Sequence, residues 1–284
     1  MEARETDAVR PGFFDRGGFW KAAVIALIYV AVSFGAAKLA GALFSDAVDE
    51  GGAITSPKNV LIELIFPVGL ATLAVIILAV TIGWWGQLFR AQPALTRGWW
   101  MWIVPILVLV FNGLSFASAE YSNYAIGTVV AVLALGLLVG LGEEVLARGL
   151  FVNSLRRAGY KEFWVAVLSS LLFAILHILS AQGKPLQTGA VLIVYTFFFG
   201  IAMYFTLRVT RNLIWPILLH ATTDPSIILR TGGVDEVGVP GDDTVGLEQI
   251  AALGNVGVIL IAFLLFWFIR GQVSRYREYG IGSA

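Results

Sequence analysis

A polytopic, all-α bundle of membrane helices is the fold this sequence predicts, and two observations carry that prediction. Hydrophobic residues make up 58% of the 284, against 13% charged, and the mean hydropathy is +0.83. That is too apolar for a soluble domain and too long for one or two anchors. Stretches of the roughly 20 apolar residues needed to cross a hydrocarbon core recur at 20–44, 60–84, 99–118, 124–147, 163–181, 188–207, 212–229 and 250–269, about eight transmembrane helices in all.

In chain order, residues 1–19 are short, polar and of mixed charge, a cytoplasmic tail. The apolar run after Trp20 is too long for a signal-peptide core, so the first span is expected to stay uncleaved. Residues 20–119 form the N-terminal spans, with Glu63 near the outer end of the second read as structural or interfacial. Residues 120–230 are the candidate catalytic core. Its first span contains Gly136-x-x-x-Gly140, a spacing that lets a neighbouring helix approach closely. If helix continues from there to Arg156 it is overlong for the bilayer, which predicts a tilt or a break near Gly140-Leu141-Gly142. The span at 212–229 holds Pro216 and the polar run Thr222-Thr223-Asp224-Pro225, the pattern of a broken helix beside a cavity. Residues 231–249 form an extracytoplasmic loop with Asp235, Glu236, Asp242, Asp243 and Glu248, and 250–284 are the last span and a cytoplasmic tail.

An even number of spans puts both termini on one side. Calling that side cytoplasmic assigns it Arg4, Arg10, Arg16, Lys21, Arg90, Arg97, Arg148, Arg156, Arg157, Lys161, Arg208, Arg211, Arg270, Arg275 and Arg277. Lys58, Lys184 and Arg230 fall opposite, and Lys38 can snorkel. Trp20, Trp84, Trp85, Trp99, Trp100, Trp102, Trp164, Trp215 and Trp267 reach the same side as an interfacial belt. The expectation is a multi-pass protein of the plasma (inner) membrane with both termini cytoplasmic.

Composition also excludes. The net charge is +0, with no basic run and no Gly-rich phosphate loop, which argues against a nucleic-acid partner. With no cysteine there is no disulfide, no thiol nucleophile and no Cys-ligated metal. No inverted repeat of the transporter kind is visible.

The chemistry sits in three segments: Glu143-Glu144-Val145-Leu146-Ala147-Arg148, Phe173-Ala174-Ile175-Leu176-His177 and His220-Ala221-Thr222-Thr223-Asp224. Both histidines of the chain are here. Ionisable groups in lipid are costly and persist where they pair, line a cavity or do chemistry. With a rise of about 1.5 Å per residue, Glu143, His177, His220 and Asp224 lie roughly 14–24 Å from their nearest basic cluster, at matched depth near mid-membrane. Residues four apart share a helix face, so Glu144 pairs with Arg148 while Glu143 is turned about 100° away and is the candidate general base. The same spacing places Phe173 under His177 and His220 beside Asp224, whose carboxylate would fix the imidazole tautomer.

A carboxylate beside a histidine can take a proton from water, and a second histidine can donate to the oxyanion formed on a peptide carbonyl. A serine mechanism has Ser169, Ser170 and Ser180 near His177 but lacks a nucleophile-elbow motif. The two histidines with Glu143 and Asp224 are acceptable ligands for a divalent metal such as zinc, although His-Glu-x-x-His spacing is absent. Metal-free and metal-dependent hydrolysis both stay open, and a proton-coupled transporter can show the same residues.

These segments resemble the three motifs of the CPBP family, the CAAX-protease and bacteriocin-processing (Abi) group: Glu-Glu-x-x-x-Arg, Phe-x-x-x-His and His-x-x-x-Asn or Asp. The resemblance spans about residues 124–229. It implies a helical bundle with a cavity in the membrane, in which Glu143 and His177 activate water, His220 and Asp224 stabilise the oxyanion, and Glu144 and Arg148 support them. Eukaryotic members cut the last three residues from prenylated CAAX proteins; bacterial members are linked to bacteriocin maturation, self-immunity and peptide processing. Asp224 stands where the prenyl-protease branch has Asn, and a carboxyl donates a hydrogen bond only when protonated. The resemblance implies an intramembrane endopeptidase acting on lipidated or membrane-associated peptides or proteins, with membrane lipid as its other partner. The alternative is a non-enzymatic membrane protein, a proton-coupled transporter or a bacteriocin immunity factor.

Overall fold

The computed structural model describes residues 12–93, 95, 97–234 and 246–279. The expectations resting on Arg4, Arg10, Asp235, Glu236, Asp242 and Asp243 lie outside these. The chain is 79% helical, without strands among the described residues. Its long helices are α1 (Phe19–Phe44), α2 (Pro57–Thr81), α3 (Trp99–Ser118), α4 (Ile126–Arg157), α5 (Glu162–Leu176), α6 (Leu186–Thr210), α7 (Ile214–Thr231) and α8 (Gly246–Phe266). A helix therefore stands at each expected span. Six are long and apolar enough to cross a membrane, namely all but α5 and α7. α5 has 15 residues and is followed by the short helix Ile178–Ala181, while α7 has 18 but carries the polar motif.

The helices run up and down between two ends. At one, Gly18 N donates to Ser154 O at 2.9 Å, Gln92 N to Arg211 O at 2.8 Å and Glu162 N to Gly271 O at 2.9 Å, gathering the ends of α1, α4, α5, α6 and α8. At the other end Ser56 caps α2, its hydroxyl accepting from Asn59 N at 3.2 Å, with Pro57 at the first helical position. The buried Asn59 amide donates to Asp49 O at 2.8 Å and Gly52 O at 2.9 Å, which pins the loop between α1 and α2. The Lys58 ammonium and Ser56 hydroxyl bonded to Asp49 hold that carboxyl below its usual range.

Two expectations about helix breaks are corrected. α4 does not take the break offered as one relief at Gly140-Leu141-Gly142; it runs 32 residues, about 48 Å, with a π-helical stretch over Val145–Phe151 that begins within the first motif. α7 is not broken either. Pro216 occupies its first turn, where no intrahelical acceptor is needed, and the helix continues through Pro225. The basic residues counted toward one side also serve the interior: Arg156, Arg157 and Arg208 are buried, as is Arg148, which its expected pairing with Glu144 already required. Arg156 makes a two-pronged ion pair with Glu162, at 2.9 and 2.8 Å, and donates to Gln92 Oε1 at 2.8 Å. Tyr204 donates to the same carboxylate and accepts from Arg208 at 3.1 Å.

Gly136 and Gly140 bring α4 and α7 together. A Cβ on Gly140 would lie 2.6 Å from Ile217 O and 2.8 Å from Ala221 N; one on Gly136 would lie 2.5 Å from Ala221 O. Ala221 O is the carbonyl that Pro225, lacking an N–H, cannot bond. The glycines let the backbones meet at the level of the motifs. Gly140→Ala is expected to destabilise the protein by about 1–3 kcal/mol through overpacking, read as a lower melting temperature in detergent. Gly35→Ala, where an added Cβ meets nothing within 4 Å, is expected to be neutral or stabilising. Equal melting of the two variants would contradict this packing.

Candidate active site

The three motifs arrive on α4, the end of α5, and α7. Glu144 is fully buried, and its Oε1 accepts from Arg148 Nη1 and from His220 Nδ1, each at 2.8 Å. The ion pair with Arg148 identifies Glu144 as a carboxylate, so His220 carries a proton on Nδ1. Nε2 of His220 then faces Glu143 Oε2 at 3.9 Å and Asp224 Oδ1 at 3.6 Å. The expectation that Asp224 fixes the tautomer of His220 is corrected: Glu144 from the neighbouring helix does so, and Asp224 stands on the other nitrogen beyond hydrogen-bond length. Arg148 also donates through Nη2 to Gly200 O at 2.8 Å, where the lack of a side chain on Gly200 lets α6 approach α5.

Phe173 holds three of these groups in place. Its ring is under the Arg148 guanidinium at 4.7 Å, against His177 at 4.9 Å and edge-on to His220 at 6.0 Å. Phe199 closes on His220 at 4.8 Å. His177, at the C-cap of α5, places Nδ1 3.0 Å from Phe173 O. A carbonyl only accepts, so Nδ1 carries a proton, which leaves Nε2 as the ring nitrogen that can present a lone pair.

Glu143, Phe173, His177, His220 and Asp224 line one cavity of about 280 Å³, whereas Glu144 and Arg148 sit behind its wall. The expected 100° separation of the two glutamates is what the helix delivers. Among the described residues, no three His, Asp or Glu side chains gather closely enough to hold a metal ion. Ser180 lines the cavity; Ser169 and Ser170 are buried outside it.

Two site neighbours were missed in the sequence. Tyr29 of α1 is buried, lines the cavity and reaches Glu143 Oε1 with its hydroxyl at 3.5 Å. Asn112 of α3 donates to Thr222 Oγ1 at 2.9 Å and Thr223 Oγ1 at 2.8 Å, clasping α7 within the third motif. The available signal was a tyrosine and an asparagine in mid-span, away from the interface where polar tips usually go.

Removing one partner of a buried pair leaves an uncompensated charge. Arg148→Met is therefore expected to cost about 3–5 kcal/mol of stability. Adding Glu144→Gln should recover most of that, since the amide oxygen still accepts from His220 while no charge is left unpaired. Thermal melting in detergent compares them; a double variant no more stable than Arg148→Met would contradict the pairing.

Residues 125–225 match the family model described as type II CAAX prenyl endopeptidase Rce1-like. No curated protein matches the chain. All three motifs lie in the matched stretch, and together with the helical bundle that carries them the match supports a CPBP/CAAX intramembrane protease family for this multi-pass membrane protein.

Proposed function

We propose that the chain is an intramembrane endopeptidase that cleaves peptide bonds of membrane-associated or lipidated substrates with water activated by Glu143 and His177. The observation that carries the reading is the single cavity lined by Glu143, His177, His220 and Asp224, with the Glu144–Arg148 pair in its wall. Glu143 takes a proton from water, assisted by the Nε2 lone pair of His177, and the hydroxide attacks the peptide carbonyl. His220, held through Nδ1 by Glu144, donates through Nε2 to the developing oxyanion when it carries both ring protons, and a protonated Asp224 adds a second donor. Collapse of the tetrahedral intermediate passes a proton from Glu143 to the leaving amine. The reading takes both termini as cytoplasmic, which the distribution of basic residues and tryptophans supports, and the membrane as the plasma membrane.

Glu143→Gln keeps the shape of the side chain and removes the base. Cleavage by membranes carrying this variant at normal abundance is expected to fall on the order of 100-fold to 10,000-fold. Because the two act as one unit, Glu143→Gln combined with His177→Ala should cost little more than either change alone. Wild-type cleavage by Glu143→Gln would sink the assignment, and loss of ion-driven uptake in its place would favour the transporter.

Asp224→Asn separates a donor from a ligand. If Asp224 donates as a neutral acid, the amide replaces it and most activity is retained, unaffected by chelator. Loss of activity in Asp224→Asn together with chelator-sensitive wild-type cleavage would point to a divalent metal such as zinc instead.

A further inference from the structure

The cavity is strongly one-sided. From the catalytic level toward the end that holds Arg156 and Arg208, the bundle is solid: residues 144–157 of α4 and 199–209 of α6 are all buried. On α1 and α7, no residue nearer that end than Tyr29 or His220 lines the cavity. Toward the opposite end the lining continues: along α7 to Ile228 and on to Val234, and along α5 through His177 to Leu179 and Ser180 in the short helix. Leu64 of α2 and Leu192 of α6 extend it on the other walls. The end it approaches is where Tyr124, Ser56 and Gly232 lie, opposite the tryptophans and the Arg156–Arg208 cluster.

We infer that substrate reaches Glu143 from this second end, and hence that the substrate is a polypeptide segment presented on the extracytoplasmic face rather than a cytoplasmic lipidated tail. The inference rests on the proposed protease reading and on the orientation given with it. The lining suits such a segment. Aliphatic side chains such as Val68, Leu135 and Ile228 alternate with the hydroxyls of Ser33, Tyr195 and Thr196, so apolar side chains can be buried while backbone groups find partners. On the arginine side, a path would have to part the Arg156–Glu162 pair and its partners Gln92, Tyr204 and Arg208.

The chain contains no cysteine, so single cysteines report access without background. Ser33→Cys, Ser180→Cys and Thr196→Cys place thiols in the cavity; Ser122→Cys and Ser274→Cys mark the two exposed ends. Each full-length variant, in sealed right-side-out membrane vesicles, is treated with a membrane-impermeant cationic thiol reagent. The cavity cysteines are expected to react along with Ser122→Cys, while Ser274→Cys reacts only after permeabilisation. Labelling of the cavity cysteines only from the cytoplasmic side, or from neither side, overturns the inference. The end marker that labels in company with them tells whether the opening or the orientation was wrong. The readout is labelling, so it holds or fails independently of the Glu143→Gln cleavage assay; blocked cleavage after outside labelling would tie the two together.

Discussion

One carboxylate oxygen organises the site. Glu144 Oε1 takes hydrogen bonds from Arg148 on its own helix and from His220 on α7, with all three residues buried. Burying a carboxylate is expensive, and a paired charge and hydrogen bonds offset that cost. Those bonds leave His220 little freedom. Its Nδ1 is tied to the wall, so its Nε2 must look into the cavity toward Glu143 and Asp224. Arg148 in turn is fixed by Gly200 O and by the face of Phe173, and the Phe173 ring and carbonyl set His177. The geometry of the cavity wall is thus a by-product of solving an electrostatic problem in lipid.

That solution needs two helices closer than ordinary side chains permit. Gly136 and Gly140 supply the gap, and Pro225 leaves the Ala221 carbonyl on α7 without its intrahelical donor just where Gly136 lies against it. The π-turn at Val145–Phe151 follows further along α4, starting beside Glu144 and containing Arg148. Asn112 then holds the polar stretch of α7 from the far side. Helix packing and the polar site are specified by the same short segments.

The parts legible in sequence were those where a charge interrupts an apolar run. The Glu144–Arg148 pairing, the outward turn of Glu143 and the contact of Phe173 with His177 all follow from helical spacing, because i,i+4 geometry is local. The partner of His220 was not legible. Asp224 is four residues away on the same helix, but the decisive carboxylate comes from another helix, and spacing says nothing of the rotation of one helix against the next. The arginines show a second limit. A sequence cannot separate a solvated loop cation from one buried on a glutamate and a tyrosine, so Arg156 and Arg208 counted as topology markers when they are also part of the packed interior. Tyr29 and Asn112 were passed over because a single hydrogen-bonding group in an apolar span is ordinarily a packing contact.

The asymmetry of the bundle bears on the choice between enzyme and transporter. Alternating access requires that the midplane site open to each side in turn, usually by rocking one group of helices against another. Here one side is closed by continuous burial across α4 and α6 and by the two-pronged Arg156–Glu162 pair, with Gln92, Tyr204 and Arg208 attached to it. Opening that side would strand several buried charges at once, each costing several kcal/mol. A hydrolase has the opposite need. It requires one path for water and substrate and a sealed floor, because an acid–base site open to both faces of a membrane would pass protons between them. A cavity with a charge-locked floor and its lining carried toward a single end fits the second requirement.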